Sequence, residues 1–385
     1  EHTLKLMGGG SLLSGGLDIN KAASKLLLSS ITVDSVSTSV GDSLGVVVEN
    51  DSSISNFAVS KITPVSIVSG KTLEGSIGVT AGSIKLTETG SLASAVSMSG
   101  GTTLDADNSL TVSGALTHTG DITIDVAESR TLTYTGTPIS LGEHTLKLMG
   151  GGSLLSGGLD INNAASKLLL SSITVDNVST SVGDSLGVVV ENDSTVTNLS
   201  MSQKLKLSVA TTKTLIITDP LVIPSSGMEL SGSGKLDLSD NLTMNGDVTL
   251  SSGSLILDAT GLKLNLGGNL NLSGGTLLTD NNTYIHLLSN SVLTTDAEQI
   301  IANVTIEENT QPMLSMGSNT TILDVVERIS IGIACPGSLP VKPKGQVRLS
   351  GGVQINTGGE FCIDGWLEGD IVFNGGTLRI DADTT

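Results

Sequence analysis

The sequence predicts an all-β protein folded as one parallel β-helix, or β-solenoid, with coils of about 20 residues. Three observations predict this fold. The chain contains a long internal repeat, its short apolar segments alternate apolar and polar residues, and its core-forming residues are aliphatic. Only three Phe, two Tyr and one Trp occur in 385 residues, whereas Gly alone contributes 47. Such a composition favours a narrow core of stacked Leu, Val and Ile, with turn-forming residues at frequent corners.

The repeat is almost perfect at its start. Glu1–Ser52 returns as Glu143–Ser194, and only Lys21/Asn163 and Ser35/Asn177 differ. Beyond Ser52 the two copies diverge but stay in register, with like-for-like apolar exchanges. These exchanges are Ile54/Val196, Phe57/Leu199, Val59/Met201, Val65/Leu207 and Ile67/Val209. Several of them lie two residues apart, which is typical of a strand whose alternate side chains face a packed interior.

Short strands of the pattern xLxL recur along Glu1–Thr295, for example in DVTLSSGSLILD and NLNLSGGTLLTD. One strand can be followed from coil to coil at steps of roughly 18 to 24 residues. Its apolar pairs are Leu26/Leu28, Val46/Val48, Val65/Ile67, Ile84/Leu86, Leu104/Ala106, Ile122/Ile124, Leu146/Leu148 and Leu168/Leu170. Seven coils therefore form the repeat, each with about three strands of about five residues. Because like segments follow like, stacked parallel strands are favoured over the reversed hairpins of a sandwich.

The repeat also divides the chain. We expect a first solenoid repeat at 1–142, a second at 143–295, and less regular coils at 296–385. The last part contains the only faintly helical passage, AEQIIANVTI from Ala297, and four of the eight prolines, between Pro312 and Pro343. At this coil length the whole chain would form about 19 coils and a rod on the order of 90 Å long.

The net charge of −19 limits the partners. Phosphate backbones would be repelled, so nucleic acid is excluded as a partner. Acidic groups collect divalent cations, and calcium is therefore a conceivable ligand, although neither the helix-loop-helix calcium loop nor the glycine- and aspartate-rich nonapeptide occurs. No apolar run reaches the roughly 18 residues of a membrane helix, so we expect no membrane span in this segment.

Two cysteines, Cys335 and Cys362, are separated by slightly more than one predicted coil and form no CxxC pair. This spacing argues against zinc and thioredoxin-like sites. Residues about one coil apart can lie close enough for a disulfide, and two buried free thiols are the alternative.

The sequence contains no pattern that indicates a catalytic, cofactor-binding or metal-binding residue. The first copy carries Asp34, Asp42, Glu49 and Asp51, and the second copy carries their counterparts, so we interpret them as solvated turn carboxylates. His2 and His144 are one position seen twice, while His118 and His286 stand alone. The run Gly8–Gly10 lacks the lysine and helix of a phosphate loop, and we interpret it as a corner.

The segments GDITIDVAESRTLTYTGTPISLGEHTLKLMGGGSLLSGG and NLNLSGGTLLTD resemble repetitive passengers of bacterial surface proteins of the filamentous-haemagglutinin-like and autotransporter adhesin types. The resemblance implies a right-handed β-helix, secretion, a cell-surface location and a role as fibre, stalk or adhesin. It carries over no catalytic residue. An oxidising secretory route would further imply that Cys335 and Cys362 are bridged.

Two hypotheses follow from the sequence. The first is an extracellular structural protein that self-associates end to end, with surface glycans or other cell-surface proteins as further candidate partners. The second is a carbohydrate-active β-helix enzyme or tailspike-like depolymerase, which needs a carboxylate cluster and an aromatic sugar platform.

The terminal segments EHTLKLMGGG and FNGGTLRIDADTT both read as strands without caps. We therefore expect either a piece of a longer rod or head-to-tail stacking into a filament. Phe361, Trp366 and Phe373 lie near the second of these segments. Core packing is the ordinary role of such aromatics, and a contact patch at the junction is the alternative.

Overall fold

The structure is a computed structural model of the 385-residue chain. Its described residues are 2–13, 15–41, 43–183, 186–257, 259, 261–272, 274–279, 283–287 and 291–295. Beyond these it describes the strand backbones at 299–306, 313–316, 322–331, 346–348, 353–356, 360–363, 367–368, 371–374 and 377–380. The chain divides into two compact units, unit 1 (1–179 and 191–194) and unit 2 (180–190 and 195–385).

All regular structure in the described residues is β-strand. The strands up to Thr180 are β1 (His2–Met7), β2 (Ser11–Leu12), β3 (Leu17–Ile19), β4 (Ser24–Ser29), β5 (Thr32–Thr38), β6 (Gly45–Val48), β7 (Ser52–Val59), β8 (Thr63–Ile67), β9 (Thr72–Val79), β10 (Ser83–Leu86), β11 (Ser91–Leu92), β12 (Ala95–Met98), β13 (Thr102–Ala106), β14 (Leu110–Val112), β15 (Leu116–His118), β16 (Ile122–Val126), β17 (Thr131–Tyr134), β18 (Ile139–Ser140), β19 (Thr145–Met149), β20 (Ser153–Ser156), β21 (Leu159–Ile161), β22 (Lys167–Ser171) and β23 (Thr174–Thr180).

The remaining strands follow the same order of short segments and corners. They are β24 (Gly187–Val190), β25 (Ser194–Met201), β26 (Leu205–Val209), β27 (Thr214–Ile217), β28 (Leu221–Ile223), β29 (Met228–Ser231), β30 (Lys235–Leu238), β31 (Leu242–Met244), β32 (Val248–Leu250), β33 (Ser254–Leu257), β34 (Lys263–Leu266), β35 (Leu270–Asn271), β36 (Thr276–Thr279), β37 (Tyr284–Leu287), β38 (Val292–Thr295), β39 (Gln299–Ile306), β40 (Met313–Met316), β41 (Ile322–Ile331), β42 (Gln346–Arg348), β43 (Val353–Asn356), β44 (Glu360–Ile363), β45 (Leu367–Glu368), β46 (Ile371–Asn374) and β47 (Thr377–Ile380).

Each turn of unit 1 has three sides, and equivalent sides of successive turns pair in parallel. One side forms a continuous ladder of nine strands, β1-β4-β6-β8-β10-β13-β16-β19-β22. The other two sides are separate strands in most turns, such as β17 and β18, but merge into one longer strand in β5, β7, β9 and β23. Successive turns are thus hydrogen-bonded to one another, which confirms the predicted β-solenoid.

Unit 2 follows the same rule. Its corresponding ladder contains seven strands, β24-β26-β29-β32-β35-β38-β40. The second side is formed by β27, β30, β33 and β36, and the third runs from β28 through β31, β34 and β37 to β39 and β41.

The core is a column of aliphatic side chains, one or two from each side of each turn. The positions predicted to face inward are buried: Leu28, Val48, Leu104, Leu148 and Leu170 are all fully inaccessible. Complete burial of a Leu or Val side chain contributes roughly 1.5–3 kcal/mol. Since a single turn buries only a few such residues, most of the stability comes from stacking on neighbouring turns.

Partner residues are not separated by a constant interval in the sequence. In the ladder of unit 1, the interval between Val46 and its partner Val65 is shorter than that between Ile124 and its partner Leu148. The predicted succession of pairs is displaced by two residues at two steps, because Val65 pairs with Leu86 and Leu104 pairs with Ile124. A shift of two keeps the same side chains inside, so alternation fixes the face but not the partner.

These unequal turns also change the coil count. About 13 turns lie in the part of the chain whose side chains are described, compared with the 19 expected for all 385 residues. Several turns are longer than expected because their corners contain extra residues. The 13 turns also cover only the part of the chain whose side chains are described.

The faintly helical passage from Ala297 contains a strand and no helix in its described residues. Gln299–Ile306 is strand β39, which pairs in parallel with β37 and β41. Its β-branched residues favour a strand, and stacking between two neighbouring strands overrides a weak helical pattern.

The register accumulates a displacement between the two copies. Pairing carries Leu4 through Leu26, Val46, Val65, Leu86 and Ala106 to Val126 on β16. On the same strand the partner of Leu146, the duplicate of Leu4, is Ile122. The identical sequences are therefore offset by four residues along the strand direction.

Candidate functional site

The most concentrated ionisable cluster in the described residues lies on the outer face of β10 and β13. Lys85 and Asp105 are register partners on these neighbouring strands. The Lys85 Nζ donates to Asp105 Oδ2 at 3.2 Å and to a carboxylate oxygen of Asp107 at 2.9 Å. Asp125 is the register partner of Asp105 on the next strand, β16. Two carboxylates therefore hold the ammonium group of Lys85, and a third, Asp125, lies beside Asp105 on the next strand.

The environment changes the titration of two of these groups. Burial raises the pKa of the Asp105 carboxyl, because desolvation outweighs the opposing hydrogen bond from Lys85, and the charges of Asp107 and Asp125 act in the same direction as burial. The hydrogen bond to Asp107 is the largest cause of a raised pKa for Lys85, with desolvation opposing it. A carboxyl that protonates more readily than usual is a candidate general acid.

The surroundings of this cluster do not complete a saccharide-cleaving site in the described part of the chain. The two carboxylates nearest Lys85 both accept hydrogen bonds from it. Phe57 and Tyr134, whose side chains are described, lie in the core at 0% and 3% exposure and offer no stacking surface. Across residues 2–295, within the described positions, no group of three or more His, Cys, Asp or Glu is placed to hold a metal ion.

A polar groove of about 330 Å³ lies elsewhere in unit 1, along the corner that includes Gly10, Asp51 and Glu74. The second copy shows why this groove is open. Around Gly10 no atom lies within 4 Å of an added Cβ, whereas at the duplicate Gly152 the carbonyl oxygens of Ala127 and Arg130 would lie 2.5 and 2.6 Å away. The corresponding place in the second copy is thus filled by the preceding turn, and the groove is not a repeated feature.

Two polar arrangements are repeated. Lys5 pairs with Glu49 at 2.8 Å, and their duplicates Lys147 and Glu191 pair at 3.1 Å. The two residues of each pair lie two turns apart, so the ion pair passes over the strand of the intervening turn. As exposed ion pairs, they contribute only about 0–1 kcal/mol each.

The second repeated arrangement is a corner. The amide of Asn50 donates to Ser29 Oγ at 2.8 Å, and the hydroxyl of Ser52 donates to the Asn50 carbonyl oxygen at 2.8 Å. In the second copy Asn192, Ser171 and Ser194 make the same two bonds at the same distances. These buried hydroxyls satisfy backbone and amide groups at the corner, which is a structural role.

Among the predicted turn carboxylates, Asp34 and its duplicate Asp176 lie on strands β5 and β23 with their side chains on the outer face, not in turns. Asp42 and Asp184 lie outside the described residues. The Gly8–Gly10 run is a corner between β1 and β2, as predicted.

The histidines differ from expectation. His118 was expected to stand alone, but its ring lies 5.6 Å from that of His144 in an edge-to-face arrangement. Both ring nitrogens of His118 lie 3.0 Å from backbone carbonyl oxygens, those of Gly120 and Ser140. The separation of the two histidines in the sequence, which equals one long turn, was the signal that could have indicated this contact. A neutral ring can donate to only one of these oxygens at a time, and through Ser140 it links two turns.

The remaining predicted site residues are only partly covered by the structure. Cys335 and Trp366 lie outside the described residues. Cys362 and Phe361 lie on β44, paired with Arg379 and Leu378, and Phe373 lies on β46, paired with Ile355. The disulfide and the aromatic contact patch therefore remain predictions.

No protein-family model matches the chain, and no match was found among curated proteins or solved structures. Within the part of the chain that the structure describes, no helix is long and apolar enough to cross a membrane.

Proposed function

We propose that the protein is an extracellular structural protein, a β-solenoid building block of a cell-surface fibre, filament or adhesin stalk. The observation that carries this proposal is the use made of polar side chains. The duplicated polar side chains connect neighbouring turns and do not converge on a ligand. They form the Lys5–Glu49 ion pair, the Asn50 corner and the counterparts of both in the second copy. When the duplicated polar side chains serve to connect turns, the chain is suited to forming an elongated structural element rather than to catalysis.

The repetitive β-solenoid is consistent with solenoid repeat proteins in general. Membership of the filamentous-haemagglutinin-like or autotransporter adhesin class, a right-handed helix and secretion to the cell surface are parts of the proposal. They rest on the resemblance of the Gly120–Gly158 segment. The strong negative charge supports an exposed surface that resists lateral aggregation and that divalent cations such as calcium would bridge.

End-to-end self-association is the partner relation that we propose, with surface glycans or other cell-surface proteins as secondary partners. Parallel pairing of successive turns is the contact that builds this solenoid, and the same contact can join one chain to another. Electron microscopy and light scattering of the purified chain across protein concentration, salt and calcium test this relation. We expect elongated end-to-end assemblies, and a strictly monomeric chain under all conditions would contradict it.

The extracellular location has its own test. If the chain passes through an oxidising compartment, thiol titration of the unfolded, non-reduced protein isolated from its source should find Cys335 and Cys362 blocked. Two titratable thiols would count against secretion.

The Lys85 cluster is the observation that keeps the depolymerase alternative open. Incubation with acidic and neutral polysaccharides, followed by measurement of new reducing ends, tests it. We expect none. Reducing ends produced by the native chain but not by an Asp105→Asn variant would favour the enzyme, while equal production by both would point to a contaminant.

A further inference from the structure

Two side chains connect strand β15 to the turn that follows it. The hydroxyl of Tyr134 accepts a hydrogen bond from the Leu116 amide at 3.0 Å and donates one to the Thr137 carbonyl oxygen at 2.7 Å. The ring of His118, the last residue of β15, reaches the Ser140 carbonyl oxygen on β18. Histidine is the side chain whose charge ordinarily changes between pH 5 and 8, so this contact between turns contains a group that can respond to pH.

The ring of His118 lies between two carbonyl oxygens. Its Nδ1 is 3.0 Å from the oxygen of Gly120, two residues further along the chain, and its Nε2 is 3.0 Å from the oxygen of Ser140, in the next turn. Both distances are those of ordinary N–H···O hydrogen bonds. A carbonyl oxygen only accepts hydrogen bonds, so each contact requires an N–H group on the ring.

A neutral imidazole cannot satisfy both oxygens. It has one N–H group, and its other nitrogen presents a lone pair. In either neutral tautomer, one of the two contacts of His118 therefore places a lone pair against a carbonyl oxygen. The imidazolium has an N–H group on each nitrogen and can donate to Gly120 and Ser140 at the same time. Hydrogen bonds from a charged donor are also the stronger kind.

The ionisable groups on the elements packed against His118 act in both directions. The ring of His144 lies 5.6 Å away, and a charge on it would oppose a charge on His118. Strand β12 and its corner, residues 95–101, contain no ionisable residue. Carboxylates, which favour a cation, occur in the same corner, beside His144 and opposite Ser140: they are Asp121, Glu143 and Asp160.

We propose that His118 is a proton-dependent clasp between two turns of unit 1. Protonation of its ring joins the Gly120 and Ser140 carbonyl oxygens through two hydrogen bonds, and deprotonation releases one of them. In the unfolded chain the ring is solvated in both forms, so protonation benefits the folded state more. The stabilisation from the clasp is therefore present at mildly acidic pH and lost as the pH rises.

Urea unfolding of the full chain at pH 5.5 and pH 8 tests the clasp. His118→Gln removes the titrating ring, and the matched control is His2→Gln, which removes an exposed histidine. The stability deficit of His118→Gln should be at least about twice as large at pH 5.5 as at pH 8, because two charge-assisted bonds replace one neutral bond. Equal deficits at the two pH values, or the same pH dependence in His2→Gln, would overturn the proposal.

Nuclear magnetic resonance of the wild-type chain with ¹⁵N-labelled histidine gives a second, local readout. It also serves if His118→Gln does not fold, because the signals of His118 can then be assigned by elimination with Gln variants of the other three histidines. We expect both ring nitrogens of His118 to carry slowly exchanging protons at pH 5.5, and one of these protons to be lost by pH 8. A ring with a single protonated nitrogen at both pH values would overturn the proposal.

Discussion

The first turns of the two copies carry the same sequence in different surroundings. Leu4 in β1 is 47% exposed, and Leu146 in β19 is fully buried, although each occupies the same place in the duplicated sequence. The difference arises from the turn that precedes β19. In a solenoid, therefore, a local sequence determines strand and face, but the neighbouring turn determines how much burial that strand obtains.

The largest expected difference between the copies is at this leucine. Leu146→Ala should lower the free energy of unfolding by about 2–5 kcal/mol, because it leaves a cavity in a packed core. Leu4→Ala should cost under about 1 kcal/mol, as expected for an exposed side chain. Urea unfolding followed by circular dichroism measures both variants. Equal losses would show that Leu4 is covered in solution.

A second test uses the corner glycines. At Gly152 an added methyl group would press on the carbonyl oxygens of Ala127 and Arg130, whereas at Gly10 the space is open. Gly152→Ala should therefore destabilise the protein by about 1–3 kcal/mol, and Gly10→Ala should have little effect. Thermal unfolding of the two variants side by side is sufficient. A larger loss of stability for Gly10→Ala than for Gly152→Ala would contradict the assignment of the covered corner to the second copy.

The Lys85 cluster lies between the duplicated segments and occurs once. Since the pKa of Asp105 is raised in the folded state, the native protein binds its proton more tightly than the unfolded chain does. The contribution of Asp105 to the free energy of unfolding therefore falls as the pH rises through its pKa in the folded state, which lies above the ordinary value of 3.8. Asp105→Asn should raise the melting temperature slightly at pH 7.

The same argument predicts that the advantage of Asp105→Asn shrinks as the pH is lowered toward 4, because the wild-type carboxyl then becomes protonated. Melting temperatures measured over this range provide the check. A variant that is less stable than wild type at pH 7 would mean that the bond to Lys85 outweighs burial, contrary to the direction of the pKa.

The smallest expected effect concerns the duplicated ion pairs. Lys5→Ala and Lys147→Ala should each cost no more than about 1 kcal/mol, and by similar amounts, because both pairs are exposed to solvent and screened by salt. Unfolding at low and high salt tests this. A cost several times larger for one lysine would show that its surroundings differ beyond the ion pair.

Much of the fold could be predicted because alternation is a strong signal. The inward positions from Leu26 to Leu170 followed from a period of two and from the repeat. The pairing partners could not be predicted in the same way, because Val65 can pair with Ile84 or Leu86 without changing which face is buried. The length of the corner decides between the two partners. The strand at Gln299–Ile306 could not be predicted from its faintly helical pattern, because its pairing with two neighbouring strands is not visible in a single segment.

The polar clusters were harder to predict. Lys85, Asp105 and Asp125 follow one another at intervals of one turn, but only the actual register brings them together. His118 and His144 meet across a longer turn. A contact between turns depends on the sum of all corner lengths between two residues, and composition or motif searches do not capture that sum.

The four-residue offset between the copies has a consequence for immune recognition. β1 and β19 are seven steps apart in one ladder, which places the duplicated segments roughly 34 Å apart along the stack and roughly 13 Å apart along the strands. An antibody raised against residues 1–52 would find two sites on one molecule, displaced obliquely. A gain in avidity requires both arms of one immunoglobulin to bind the two sites. This depends on the diagonal distance between the sites, not on their separation along the stack alone.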